Sequence, residues 1–149
     1  MKTIFILGSQ VDKEFTQKMV DGLNKWGVET EVIVASAHKV PKKVADIVEK
    51  YNSVEDVIFV GVAGRSNALS GVIAANSVHP VFACPPFQDK VDMMVNLNSS
   101  LMMPGDTPVM TVIDPANLIL SVVKIFAEKN AELRKKVWAR IEEIRKSFE

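Results

Sequence analysis

Val57-Ile58-Phe59-Val60 runs into Gly61-Val62-Ala63-Gly64-Arg65-Ser66-Asn67-Ala68-Leu69-Ser70-Gly71, and this passage decides the fold. Its first four residues are apolar without alternation, the pattern of a parallel-sheet strand covered on both faces. The small residues at 72–76 can start a helix. A buried strand that ends in glycines, passes through Arg-Ser-Asn and enters a helix makes a polar turn at the carboxyl edge of a sheet. Open α/β folds bind ligands at that edge. Gly61 and Gly64 permit close backbone approach. Arg65 supplies a planar fork of donors, and Ser66 and Asn67 supply donors and acceptors suited to a polar heterocycle. The plainer alternative is a βα loop whose glycines serve only the turn.

Upstream, residues 3–7 form an apolar run read as the first, central strand. The turn Gly8-Ser9-Gln10-Val11-Asp12 follows, with Asp12 placed to cap a helix. Phe15, Met19, Leu23 and Trp26 then mark one helix face, and Gly27 stops it. Residues 29–34 alternate into a second strand. After the turn Ala35-Ser36-Ala37-His38-Lys39-Val40, Pro41 opens a helix whose stripe is Val44, Ile47, Val48 and Tyr51. Downstream of the central passage, residues 81–84 form a fourth strand stopped by Pro85-Pro86. Met93, Met94 and Leu97 indicate a helix, and Pro104-Gly105-Asp106 a turn. Residues 109–113 form a fifth strand.

From Pro115 to about residue 148 the chain reads as one helix, apolar first and then charged. Its charged half keeps a narrow seam of Leu133, Val137, Ile141, Ile144 and Phe148. Such a seam is expected to pack outside the sheet, on a neighbouring subunit first and on its own domain otherwise. The alternation of strands and helices predicts a single α/β domain over residues 1–149. It is a three-layer sandwich, a flavodoxin-like parallel sheet with helices on both faces. A long C-terminal helix, about 115–148, is partly used for oligomerisation.

Composition narrows the function classes. Lys+Arg and Asp+Glu both number 18, so no net charge draws the chain to nucleic acid or to an anionic membrane. The 48% apolar and 24% charged content fits a soluble globular protein. A single cysteine, Cys84, excludes an internal disulfide and any cysteine-based metal cluster, and a reducing cytoplasm is the expected location. The first apolar run before Gly8 is too short for a signal-peptide core or a membrane span. No His/Asp/Glu cluster has metal-ligand spacing, so no metal is expected.

Three turns fall at one edge of the predicted sheet. The first presents free backbone N–H groups at a helix start, suited to a phosphate. Asp12 can accept hydrogen bonds from ribose hydroxyls, a role compatible with helix capping. This turn lacks the glycine spacing of the dinucleotide fingerprint, which argues against a nicotinamide or flavin cofactor. The second turn carries His38, and a histidine is the natural proton shuttle. A lone loop histidine is ordinarily structural or simply exposed. What singles this one out is the company of Ser36 and Lys39, a phosphate clamp in the making. His79, before Pro80, reads as a surface residue, and Cys84 as a small hydrophobe without a general-base partner.

Ala35-Ser36-Ala37-His38-Lys39, the Ala63-to-Gly71 string, Ala83-Cys84-Pro85-Pro86 and Ser99-Ser100-Leu101 with Pro104 occur in an order that resembles the PurE family of purine biosynthesis. The likeness is to its class II branch, since class I members carry an Ala-Ala-His-Leu-Pro pattern where this chain has Ala63-Gly64-Arg65-Ser66-Asn67. The resemblance implies a carboxylase that adds carbon dioxide directly to aminoimidazole ribonucleotide, with no biotin, ATP or metal. By the same likeness His38 is the proton relay. The phosphate sits against Ser9, Ser36 and Lys39, and the ribose against Asp12. Backbone at Ala63 and Gly64 and the side chains of Arg65, Ser66 and Asn67 frame the ring and the carbon dioxide. Gly8, Ala37 and Leu69 complete the substrate-binding set, and the family likeness implies a homo-octamer or homotetramer.

The chain also departs from that pattern. Val11 stands where the family usually has serine, and Met102 where it has arginine. Alternatives are therefore a class I-type mutase rearranging the N-carboxylated ribonucleotide, a non-catalytic nucleotide-binding module, and a carboxylase for a different heterocycle.

Overall fold

A computed structural model describes residues 1–149. Strands β1 (Lys2–Leu7), β2 (Glu29–Val34), β3 (Val57–Val62), β4 (Val81–Ala83) and β5 (Met110–Thr111) form one parallel sheet in the order β2-β1-β3-β4-β5. Helices α1 (Lys13–Lys25), α2 (Pro41–Tyr51), α3 (Ala68–Asn76), α4 (Lys90–Leu101), α5 (Pro115–Ala127) and α6 (Ala131–Lys146) flank it, and a single 3-10 turn, Gln10–Asp12, precedes α1. This is the expected flavodoxin-like order.

All six residues of β3 are buried, as its unbroken apolar run requires. β3, rather than β1, occupies the middle of the sheet; β1 lies between β2 and β3. Side-chain alternation splits the core in two. Phe5, Leu7, Ile58, Val60 and Val62 face α1 and α5, packing with Met19, Leu23, Leu118 and Val122. Ile4, Ile6 and Phe59 face α2 and α3, packing with Val44, Val48, Leu69 and Ile73.

The strand order places a topological switch between β1 and β3, whose registers end together at Leu7 and Val62. The chain leaves β1 toward β2 on one side, and leaves β3 toward β4 on the other. The connections after these two strands therefore diverge and open a crevice at their carboxyl ends.

Three sequence expectations need correction. β5 is Met110–Thr111, shorter than the predicted 109–113. α3 begins at Ala68, four residues before the predicted start, so Asn67 becomes its N-cap. The helical stretch from Pro115 divides at residues 128–130 into α5 and the long terminal α6. Asn130 Oδ1 accepts the Leu133 N–H at 2.9 Å and starts α6 afresh, while Arg134 donates to the carbonyls of Ala127 and Glu128, closing the end of α5.

The turn between α5 and α6 sends the first half of the seam back onto its own domain. Leu133 and Val137 are buried in the α1–α5 core, and Ile141 packs against it. Ile144 and Phe148 remain exposed, Phe148 by 87%. No helix is long and apolar enough to cross a membrane.

Candidate active site

The crevice is a cleft of about 300 Å³ built by three turns. Gly8 and Ser9 come from the turn after β1, Ser36, Ala37 and His38 from the turn after β2, and Ala63, Gly64, Arg65 and Ser66 from the turn after β3. Asp12, Ala68 and Leu69 complete the wall.

The sheet fixes the base of each turn. The Gly8 N–H donates to Val62 O, and the Ala35 N–H to Leu7 O, both at 2.9 Å, so the ladder extends one step into each loop. A Cβ on Gly8 would lie 3.2 Å from the Ala63 Cβ, tighter than ordinary contact, so glycine lets the first and third turns meet. In the second turn the Val40 N–H donates to Ser36 O at 2.9 Å, presenting His38 at an exposed tip.

Asp12 is nearly buried, at 9% exposure. Its carboxylate accepts the Ser9 N–H at 3.0 Å and so closes the first loop; it does not cap α1. Burial raises the Asp12 carboxyl above its ordinary range, and the Ser9 bond only partly offsets that. The cleft therefore holds one acceptor that is poorly solvated without a ligand.

Every residue expected in the site lines this cleft except Lys39 and Asn67. Lys39 is exposed beside His38. Asn67 points away from the cleft: its Oδ1 accepts the Ser70 N–H at 3.3 Å, and its Nδ2 donates to Ser100 Oγ at 3.0 Å. Its N–H also donates to Ser99 Oγ at 3.2 Å. The Ser99-Ser100 pair is thus a support for the third turn, 32 to 33 residues away in sequence.

Ala68 was not anticipated. Its signal is its place as the first residue of a helix directly after a polar loop. Gly64 and Arg65 also border a second hollow, of about 420 Å³, with Val11, Phe15, Phe87 and Asp92 in its wall. Arg65 is exposed there and lies 3.9 Å from Asp92. Met102 is 83% exposed and outside the cleft, and Val11 is 82% exposed in the second hollow.

Two residues that the sequence put aside have structural roles. His79 Nε2 lies 2.9 Å from Tyr51 O and its ring stands against Phe59, so it pins a connection instead of lying free on the surface. Cys84 is fully buried, and burial pushes its thiol up to about 12, with Asp114 adding to the shift. That thiol is no nucleophile at neutral pH.

Comparison with known proteins gives a consistent picture. The family model described as AIR carboxylase matches residues 2–147. The chain is 44% identical over 137 residues to the phosphoribosylaminoimidazole carboxylase of Archaeoglobus fulgidus, covering 92% of this chain and 75% of that protein. It is 41% identical over 134 residues to the N5-carboxyaminoimidazole ribonucleotide mutase of Methanocaldococcus jannaschii, covering 89% and 83%. The crystal structure of Treponema denticola PurE superposes with a TM-score of 0.90 at 28% identity, covering 99% of this chain and 93% of that one.

Proposed function

The chain belongs to the AIR carboxylase, or PurE, family of purine-biosynthesis enzymes, and on that premise we propose that it adds carbon dioxide itself to a ring carbon of aminoimidazole ribonucleotide. The observation that carries this reading is the convergence of His38 and Arg65, from two different turns, on one cleft.

Aminoimidazole is an electron-rich enamine. Its ring carbon attacks the carbon of carbon dioxide, one C–C bond forms, and the π electrons of one C=O move to oxygen. Holding both reactants in one cleft supplies the encounter. The ring carbon then carries both a hydrogen and a carboxylate, and loss of that proton restores aromaticity. His38 takes the proton, and in the reverse direction it returns it to the same carbon as carbon dioxide leaves. The Arg65 guanidinium is assigned to the negative charge that develops on the new carboxylate. Carbon dioxide is already electrophilic, so the step calls for no biotin, ATP or metal.

The phosphate is assigned to Ser9 and Ser36, with Lys39 reaching it from the rim, and the ribose hydroxyls to Asp12. The reading includes a homo-oligomer. Val91, Met94 and Val95 on α4 and Trp138 on α6 remain exposed and offer apolar surface to a second copy.

A second reading is the mutase, favoured by the name of the Methanocaldococcus relative. Against it stands the Gly64-Arg65-Ser66 wall in place of the class I pattern. Incubating the purified protein with aminoimidazole ribonucleotide and dissolved carbon dioxide, without ATP, tests the proposal. Carboxylated product above the protein-free rate supports it, and none refutes it.

A further inference from the structure

Helix α4 has an inverted pattern. Its only buried residues are Asn96 and Ser100, 2% and 1% exposed, while its Val91, Met94, Val95 and Leu101 face outward. Burying polar side chains in place of those apolar ones costs stability unless each is hydrogen-bonded. Ser100 is satisfied: its Oγ accepts from Asn67 Nδ2 and donates to Asn96 O at 2.9 Å. Asn96 is half-satisfied. Its Nδ2 donates to Pro86 O at 2.8 Å, an acceptor that fixes which way the amide points. Its Oδ1 is buried with no partner.

That amide abuts the cleft wall. A Cβ on Gly64 would lie 3.3 Å from Asn96 Nδ2 and 3.7 Å from Oδ1. Asn96 and Ser100 thus bracket the third turn, one against Gly64 and the other on Asn67. An unpaired acceptor beside a glycine also stabilises any setting of the loop that turns a peptide N–H toward it.

We propose that Asn96 is a positioning residue for the 63–67 loop, acting through Pro86, Gly64 and the neighbouring Ser100–Asn67 bond. Its effect on turnover rests on the carboxylase reading above; its effect on the loop does not. Asn96 touches no reacting atom. It sets where Gly64 and Arg65 stand on the cleft.

Asn96→Leu tests this, because leucine fills a similar volume and removes the unpaired acceptor. A purely structural Asn96 predicts a lower melting temperature, since the Pro86 carbonyl loses its donor, with unchanged kinetics. The positioning role predicts a melting temperature within a few degrees of wild type, with amide hydrogen exchange across residues 63–67 about tenfold faster. It also predicts kcat/KM for aminoimidazole ribonucleotide about tenfold lower, a loss of about 1.4 kcal/mol in transition-state stabilisation. Folded Asn96→Leu with wild-type exchange or wild-type kcat/KM overturns the proposal. Should Asn96→Leu fail to fold, Ser100→Ala, which deletes one oxygen from the same bracket, is scored in the same way. A wild type without turnover defeats the carboxylase reading, and the exchange difference alone then decides the positioning role.

Discussion

Asp12 and His38 stand on two turns of one cleft and respond to substitution in opposite ways. His38→Asn keeps a polar ring-sized group at an exposed tip, so the fold and nucleotide affinity are expected to persist while turnover falls by about 10²-fold or more. A rate unchanged in a standard assay would remove His38 from the chemistry. Asp12→Asn keeps an oxygen for the Ser9 N–H but removes a poorly solvated charge. The folded-state pKa of Asp12 is raised, so its charge disfavours the folded protein fully above that pKa and not at all below the ordinary 3.8. The variant should therefore melt slightly higher than wild type at pH 7, with the gain vanishing toward pH 3.8. The same variant should bind the ribonucleotide about tenfold less tightly, having lost a charged acceptor. A lower melting temperature at pH 7 would contradict the first part, and unchanged affinity the second. The cleft residues were legible because glycines, a histidine and an arginine stand at strand ends, where short-range pattern is informative. Asn96 was not, because its partners Pro86 and Gly64 are assembled by the fold and leave no spacing to read.

Elements behave as the sequence predicts wherever burial is two-sided, and depart where one residue resets a helix. Nothing at residues 128–130 is glycine or proline, so periodicity alone ran α5 into α6. The break depends on the Asn130 cap and on Arg134 reaching back to two carbonyls. Its consequence is that Leu133 belongs to the core. Leu133→Ala should lower stability by about 2–4 kcal/mol in denaturant unfolding, and Phe148→Ala by less than about 0.5 kcal/mol. Equal effects would mean that the seam is not divided.

At the other edge of the sheet, Tyr51 of α2 donates to Glu31 of β2 at 2.6 Å, and Lys2 of β1 pairs with the same carboxylate at 3.0 Å. The Tyr51 bond first, and the Lys2 bond second, hold Glu31 below its ordinary 4.5. That stabilisation is complete above pH 4.5 and is lost as pH falls through the lowered folded-state pKa. Tyr51→Phe should cost about 1 kcal/mol near pH 7, and the difference from wild type should disappear in strong acid. A pH-independent difference would assign the loss to packing instead.

On the scale of the whole molecule, the strand order decides where chemistry is possible. The β1/β3 switch gathers the turns after β1, β2 and β3 into one cleft that His38 and Arg65 both line. Family membership fixes the pathway, and Gly64-Arg65-Ser66 in the third turn is the reason for reading direct carboxylation over rearrangement. The most direct test supplies ¹³C-labelled carbon dioxide and aminoimidazole ribonucleotide without ATP, with the N-carboxylated isomer in a parallel reaction. Direct carboxylation predicts labelled carboxyl in the product of the first reaction at a rate set by enzyme concentration. Product only from the N-carboxylated isomer, with its unlabelled carboxyl retained, would contradict that claim and make the protein a mutase.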